Sequence, residues 1–174
     1  MNVRPRRRTA LGGGGMVGAL VLCLTFLSGC GFTLRGEVSL PRALDRTYVL
    51  SASEEDELGA ELRRRLRGYG VELVDRPEEA SATLRVGAER RAREVLAVNE
   101  QGKALEYTLS LATNLEVLGK AGKVLLPNKT VSVSRDFIFD QNQVLGSVAE
   151  AEVAYAEMRK DLVRIIMYRL QAIH

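Results

Sequence analysis

The chain has 174 residues, with 25 Lys and Arg against 22 Asp and Glu, one histidine, two cysteines and no tryptophan. Four of the arginines (Arg4, Arg6, Arg7, Arg8) precede an uncharged run from Leu11 to Leu27. A positive segment followed by an apolar one is the layout of a secretory signal. Removing residues 1–29 leaves 21 basic against 22 acidic side chains, so the basicity belongs to the signal and a nucleic-acid-binding class is excluded on charge.

The signal ends in Leu27-Ser28-Gly29-Cys30, which looks like a bacterial lipobox. The expectation is cleavage between Gly29 and Cys30 with acylation of the Cys30 thiol and of the new amine. Two or three acyl chains anchor stably where one does not. The glycine-rich apolar run barely matches the roughly 20 residues a spanning helix needs, which favours cleavage. Cys23 lies inside the signal and Cys30 carries lipid, so the mature 145 residues have no disulfide and no thiol chemistry. They suffice for one domain with its own core. The lone histidine is the terminal His174. No Ser-His or Cys-His pair and no His-containing metal site is available. A carboxylate-pair hydrolase, which composition leaves open, has no supporting cluster of Asp and Glu with aromatics, so neither catalysis, a metal nor a cofactor is expected.

Residues 30–45 read as a lipidated tether and 46–174 as the domain. Thr47–Leu50 is β-prone. Ser51 and Ser53 ahead of Glu54, Glu55 and Asp56 predict a helix start, with a serine capping free N–H groups. Leu58, Leu62, Leu66 and Tyr69 form one apolar stripe, and Gly68 and Gly70 end the helix. Arg63, Arg64, Arg65 and Arg67 suit the negative end of that helix as a solvated face. The alternative is an anion-binding patch. Val71–Val74 is another short strand candidate, and Asp75–Glu79 a turn. From Ala82 to Val98 strand character is interrupted near Gly87–Arg93, predicting a bulge or a strand end projecting past the core.

After a turn at Asn99–Gly102, residues 105–117 alternate apolar and polar over thirteen positions, giving one buried and one wet face. Gly119–Gly122 is a hairpin turn. The next strand carries Val131, Val133, Phe137 and Phe139, with Pro127 arguing against a fully paired start. Val144–Ile173 is a long amphipathic helix. Tyr155, Met158, Leu162, Ile165 or Ile166, and Leu170 mark its apolar stripe, and Arg159, Lys160, Asp161 and Arg164 its wet side. The predicted fold is α+β: a two-layer sandwich with two helices on one face of a roughly four-stranded, mostly antiparallel or mixed sheet.

Several segments in this order resemble the LptE family of lipopolysaccharide-assembly lipoproteins. They are Leu27-Ser28-Gly29-Cys30 with Gly31–Gly36, Leu40-Pro41, Gly70–Leu73, Gly102 with Glu106-Tyr107, Arg135–Asp140 and Glu157-Met158. The resemblance implies a lipid-anchored outer-membrane protein. It would plug the lumen of the β-barrel LptD, help assemble it and take part in delivering lipopolysaccharide to the outer leaflet. Gly31, not Asp, after the lipidated residue favours the outer membrane by the same analogy. The implied partners are LptD, lipopolysaccharide and the membrane. Where the family has basic residues that contact lipopolysaccharide, this chain has Glu100 and Ser147. The nearby Arg90, Arg91, Arg93 and Lys103 are the candidate substitutes. The alternative function is a free envelope lipoprotein that binds a lipid or a protein without a barrel partner.

Overall fold

The alternation over 105–117 becomes a single long strand, and the rest of the sheet is assembled on its two edges. The computed structural model describes residues 39–52, 56–140 and 143–173, all within the unit formed by Val38–His174. The signal, Gly29, Cys30, Ser53 and His174 lie outside them. The elements are β1 (Arg46–Leu50), α1 (Glu57–Gly68), β2 (Glu72–Leu73), β3 (Ala82–Val86), β4 (Arg90–Val98), β5 (Ala104–Gly119), β6 (Val124–Ile138) and α2 (Val144–Gln171).

Helix α1 is capped by Asp56, whose carboxylate accepts from the Leu58 and Gly59 N–H groups. That corrects the expectation of a serine cap from Ser51 or Ser53. The Ser51 hydroxyl accepts instead from the Arg63 guanidinium at 2.7 Å. At the other end, Gly70 has φ +78°, a left-handed conformation that only glycine adopts without strain. It lets the Val71 N–H reach the Leu66 carbonyl and its own N–H reach that of Arg67, closing a Schellman motif.

β1 pairs in parallel with β2 and β3, and all other pairs are antiparallel. Residues of β5 that pair with β4 also pair with β6, so β4 and β6 flank opposite edges. β3 joins the same edge of β5 as β4. Val86 stands opposite Leu115 and Arg90 opposite Ala112, so three residues (87–89) face two (113–114). This is the predicted interruption, and it is a β-bulge of one extra residue. The Gly87 N–H donates to the Asn114 carbonyl, and the buried Thr113 hydroxyl donates to the Gly87 carbonyl at 2.7 Å. The sheet has six strands, more than the roughly four expected, because the bulge divides 82–98 in two and the two-residue β2 pairs with β1.

Both helices cover one face, as the α+β sandwich requires. Leu58, Leu62 and Leu66 of α1 and Met158, Leu162, Ile166 and Leu170 of α2 meet Leu84, Leu109, Leu111, Leu115, Val117 and Val131 in one core. Leu44 joins it from a 3-10 turn ahead of β1. Arg159, expected on the wet side, is instead 9% exposed and faces the sheet. Among the described residues no helix is long and apolar enough to cross a membrane.

Candidate functional site

Strand alternation decides what the basic cluster on β4 can do. Arg90 stands opposite Ala112 on the uncovered face, and donates to Asn114 Oδ1 at 3.0 Å. Arg91 and Arg93 stand opposite Leu111 and Leu109, on the helix side. Arg91 pairs with Glu89 and Glu152, each at 2.9 Å, and lies 4.7 Å above the Tyr155 ring. Arg93 has no acidic partner among the described residues and lies 4.6 Å above the Tyr107 ring. Lys103 is exposed in the β4–β5 hairpin. Asn99 Oδ1 shapes that turn by accepting from the Gln101 and Lys103 N–H groups. The four predicted residues are therefore not one cluster: Arg90 is on the far face, Arg91 is neutralised, and Arg93 and Lys103 remain as outward cations.

The bulge aims Glu89 inward, onto Arg159. Its carboxylate accepts from Arg159 Nε at 2.7 Å and from the terminal nitrogen at 3.1 Å, a bidentate pair. Glu57, at the start of α1, meets the same guanidinium at 2.7 Å. Burial pushes the Glu89 carboxyl up, but hydrogen bonds and charge from Arg159 and Arg91 outweigh it and hold it below the usual glutamate range. The hydrogen bond to Glu89 leads the causes that raise the Arg159 pKa above the usual arginine value, against the cost of its own burial. The Tyr155 hydroxyl donates to the Ala92 carbonyl, fixing the helix over β4. This network escaped the sequence reading, yet a signal existed. Arg159 falls four residues after Tyr155 and three before Leu162, squarely within the apolar stripe. A charge there implies a buried partner.

The second feature is the uncovered sheet face. Thr108 donates to Asp136 at 3.0 Å, Ser110 and Ser134 share a hydrogen bond at 3.1 Å, and Thr130 donates to Asn114 at 3.1 Å. Arg85 pairs with Glu116 at 3.0 Å. Ala92, Ala112 and Ser132 lie between them, and Arg90 and Glu94 share the face, which is polar and of mixed charge. Beyond the bulge the strand ends turn apolar: Val95, Leu96, Val98 and Ile138 are each more than half exposed, as is Leu145 at the start of α2. A small cavity of about 160 Å³ is lined by Arg93, Leu109, Phe137, Phe139, Val148 and Tyr155 among others.

Among the described residues no three His, Cys, Asp or Glu side chains converge to hold a metal. A one-sided α+β sandwich with a polar open face and an ion-paired helix–sheet joint defines a binding or assembly domain. The profile described as "LptE: Lipopolysaccharide-assembly" matches residues 41–170. A relative from Photorhabdus laumondii named LPS-assembly lipoprotein LptE is 28% identical over 155 residues, covering 89% of this chain and 84% of that protein. One of the same name from Yersinia pestis is 30% identical over 156 residues, 89% of this chain and 74% of that one. In structure, lipoprotein B from Nitrosomonas europaea is similar with a TM-score of 0.68 at 26% identity, over 82% of this chain and 91% of that one. The rare lipoprotein B from Shewanella oneidensis shares the fold at TM-score 0.66 and 24% identity, over 73% and 94%. The chain belongs to the LptE family of lipopolysaccharide-assembly lipoproteins. That membership is what bears out the expectation of a non-enzymatic protein.

Proposed function

We propose that this chain is cut before Cys30, lipidated there and held in the outer membrane. Its domain then fills and steadies the lumen of the lipopolysaccharide-exporting barrel LptD. The observation that carries this reading is the uncovered sheet face. An exposed sheet face in a one-domain protein is an open surface, and this one carries hydrogen-bonded Ser, Thr, Asn and Asp with alanines between, alongside Arg85, Arg90, Glu94 and Glu116. A polar face of mixed charge suits a polar wall, and wide barrels have polar interiors with room for an occupant. A mature net charge of −1 suits a wall of mixed sign.

Arg93 and Lys103, the outward cations beside the apolar ends of β4 and β6, are the proposed lipopolysaccharide contacts. Guanidinium and ammonium groups recognise phosphates. Arg90 and Arg91 are held by Asn114, Glu89 and Glu152. The test is a mild-detergent pull-down of the tagged lipoprotein from native membranes, with mass spectrometry of its partners. A stoichiometric large β-barrel, retained when Cys30 is replaced and the domain exported by another signal, supports the plug. Recovery of the lipoprotein alone, with the barrel present in the same extract, refutes it. Charge reversal at Arg93 and Lys103 should weaken lipopolysaccharide binding while leaving barrel recovery unchanged.

A further inference from the structure

Away from β4, a cavity of about 530 Å³ opens where the parallel strands β1 and β2 end against α1. Crevices outside the carboxyl ends of parallel strands are recurrent ligand sites. The arginine run of α1 divides here. Arg64 pairs with Glu61, and Arg65 lies 5.7 Å above the Tyr69 ring. Arg63 and Arg67, one turn apart, line the cavity. Arg63 donates to Ser51 Oγ at 2.7 Å and to the Val49 carbonyl at 3.4 Å, which fixes its direction without neutralising it. The Arg67 side chain has no hydrogen bond, ion pair or ring contact among the described residues. The same holds for Asp75, which lines the cavity from the segment after β2.

Two cations and one anion thus line one cavity without pairing with each other. The complement is a ligand carrying both signs. A tetrahedral anion suits two guanidiniums. An ammonium able to donate hydrogen bonds suits the Asp75 carboxylate, and the apolar sides of Tyr48, Leu50 and Leu73 can cover a short methylene spacer. A phosphate, two methylenes and a primary ammonium have this order. We infer that the cavity binds a phosphoethanolamine group. A choline ester carries the same charges, but its quaternary nitrogen cannot donate to Asp75, so the site discriminates against it. The inference shares no residue with β4 and does not depend on the barrel reading.

The test uses the full lipoprotein in maltoside micelles. It is titrated calorimetrically with phosphorylethanolamine, phosphorylcholine and inorganic phosphate, while the arginine Nε–H signals are followed by NMR. Phosphorylethanolamine is expected to bind at least about tenfold more tightly than the other two, a difference of one good charge-assisted contact, and to shift the Arg63 and Arg67 signals. Arg67→Gln should weaken it by at least about tenfold. Asp75→Asn should leave phosphate binding intact and erase the preference for the ammonium ester. Both positions are exposed, so circular dichroism should show the fold unchanged. Nanodiscs of phosphatidylethanolamine against phosphatidylcholine then separate the sources. Shifts with the former lipid assign a membrane headgroup, and shifts with the soluble ester alone assign a free metabolite; both support the site. Equal affinity for all three compounds, or an unchanged preference in Asp75→Asn, overturns it, as does binding that leaves both arginine signals in place.

Discussion

Substituting Glu89 by Gln tests the joint on which α2 is seated. The side chains of Arg159 and Glu89 are only 11% and 13% exposed. Removing one partner of a buried pair costs about 3–5 kcal/mol, because the other charge is left uncompensated. Here the loss is moderated by Glu57, but that residue is 71% exposed and its pair is screened, contributing under about 1 kcal/mol. The expected destabilisation is about 3 kcal/mol, or roughly 10 °C in Tm for a domain of this size. Urea unfolding followed by circular dichroism measures it, and hydrogen exchange should report the loss first at β4. The pH dependence follows from the lowered carboxyl pKa of Glu89. A depressed pKa means that the unfolded chain binds the proton more readily. The stabilisation is complete above about pH 4.5 and is lost as pH falls through the folded value. Glu89→Gln should flatten that acid limb. Glu89→Gln with Arg159→Met, which removes both charges, should recover much of the loss. A cost below about 0.5 kcal/mol for the single substitution, or a double variant no more stable than the single one, would refute the buried-pair argument.

Asp56→Ala removes the cap of α1 and should cost about 1 kcal/mol in urea unfolding. Gly59→Ala would place a Cβ 2.8 Å from Ser51 Cβ, so it should destabilise by about 1–2 kcal/mol and be rescued in a Ser51→Gly background. Ala121 holds φ +55° in the β5–β6 hairpin, and Ala121→Gly should raise stability by about 0.5–1 kcal/mol by thermal unfolding.

What was legible in the chain follows from which patterns are local. Period two over 105–117 announces β5 because a sheet covered on one face writes its burial directly into sequence. The stripe of α1 and its glycine stop are equally local, since a Schellman motif needs only adjacent residues. The helix cap was misassigned because Ser51, Ser53 and Asp56 compete for one position, and only backbone geometry chooses Asp56. The basic cluster of β4 divides for a related reason. Adjacent arginines look like one patch in sequence, and alternation sends Arg90 to one face and Arg91 and Arg93 to the other. The Arg159–Glu89 pair spans 70 residues, so no local pattern contains both halves. What the chain does display is the two rule violations that the pair resolves: a broken alternation at 87–89 and an arginine within an apolar stripe. Each is unfavourable alone, and together they are compensated. The bulge supplies the extra residue that turns a carboxylate inward, and the helix supplies the cation that needs it. That joint also divides the edge of β5 in two, with β3 sealed in the sandwich and β4 left exposed with Arg93 and its apolar end. The exposed half carries Arg93, proposed above as a lipopolysaccharide contact. Conflicts between local rules are therefore the place to look for function in this fold.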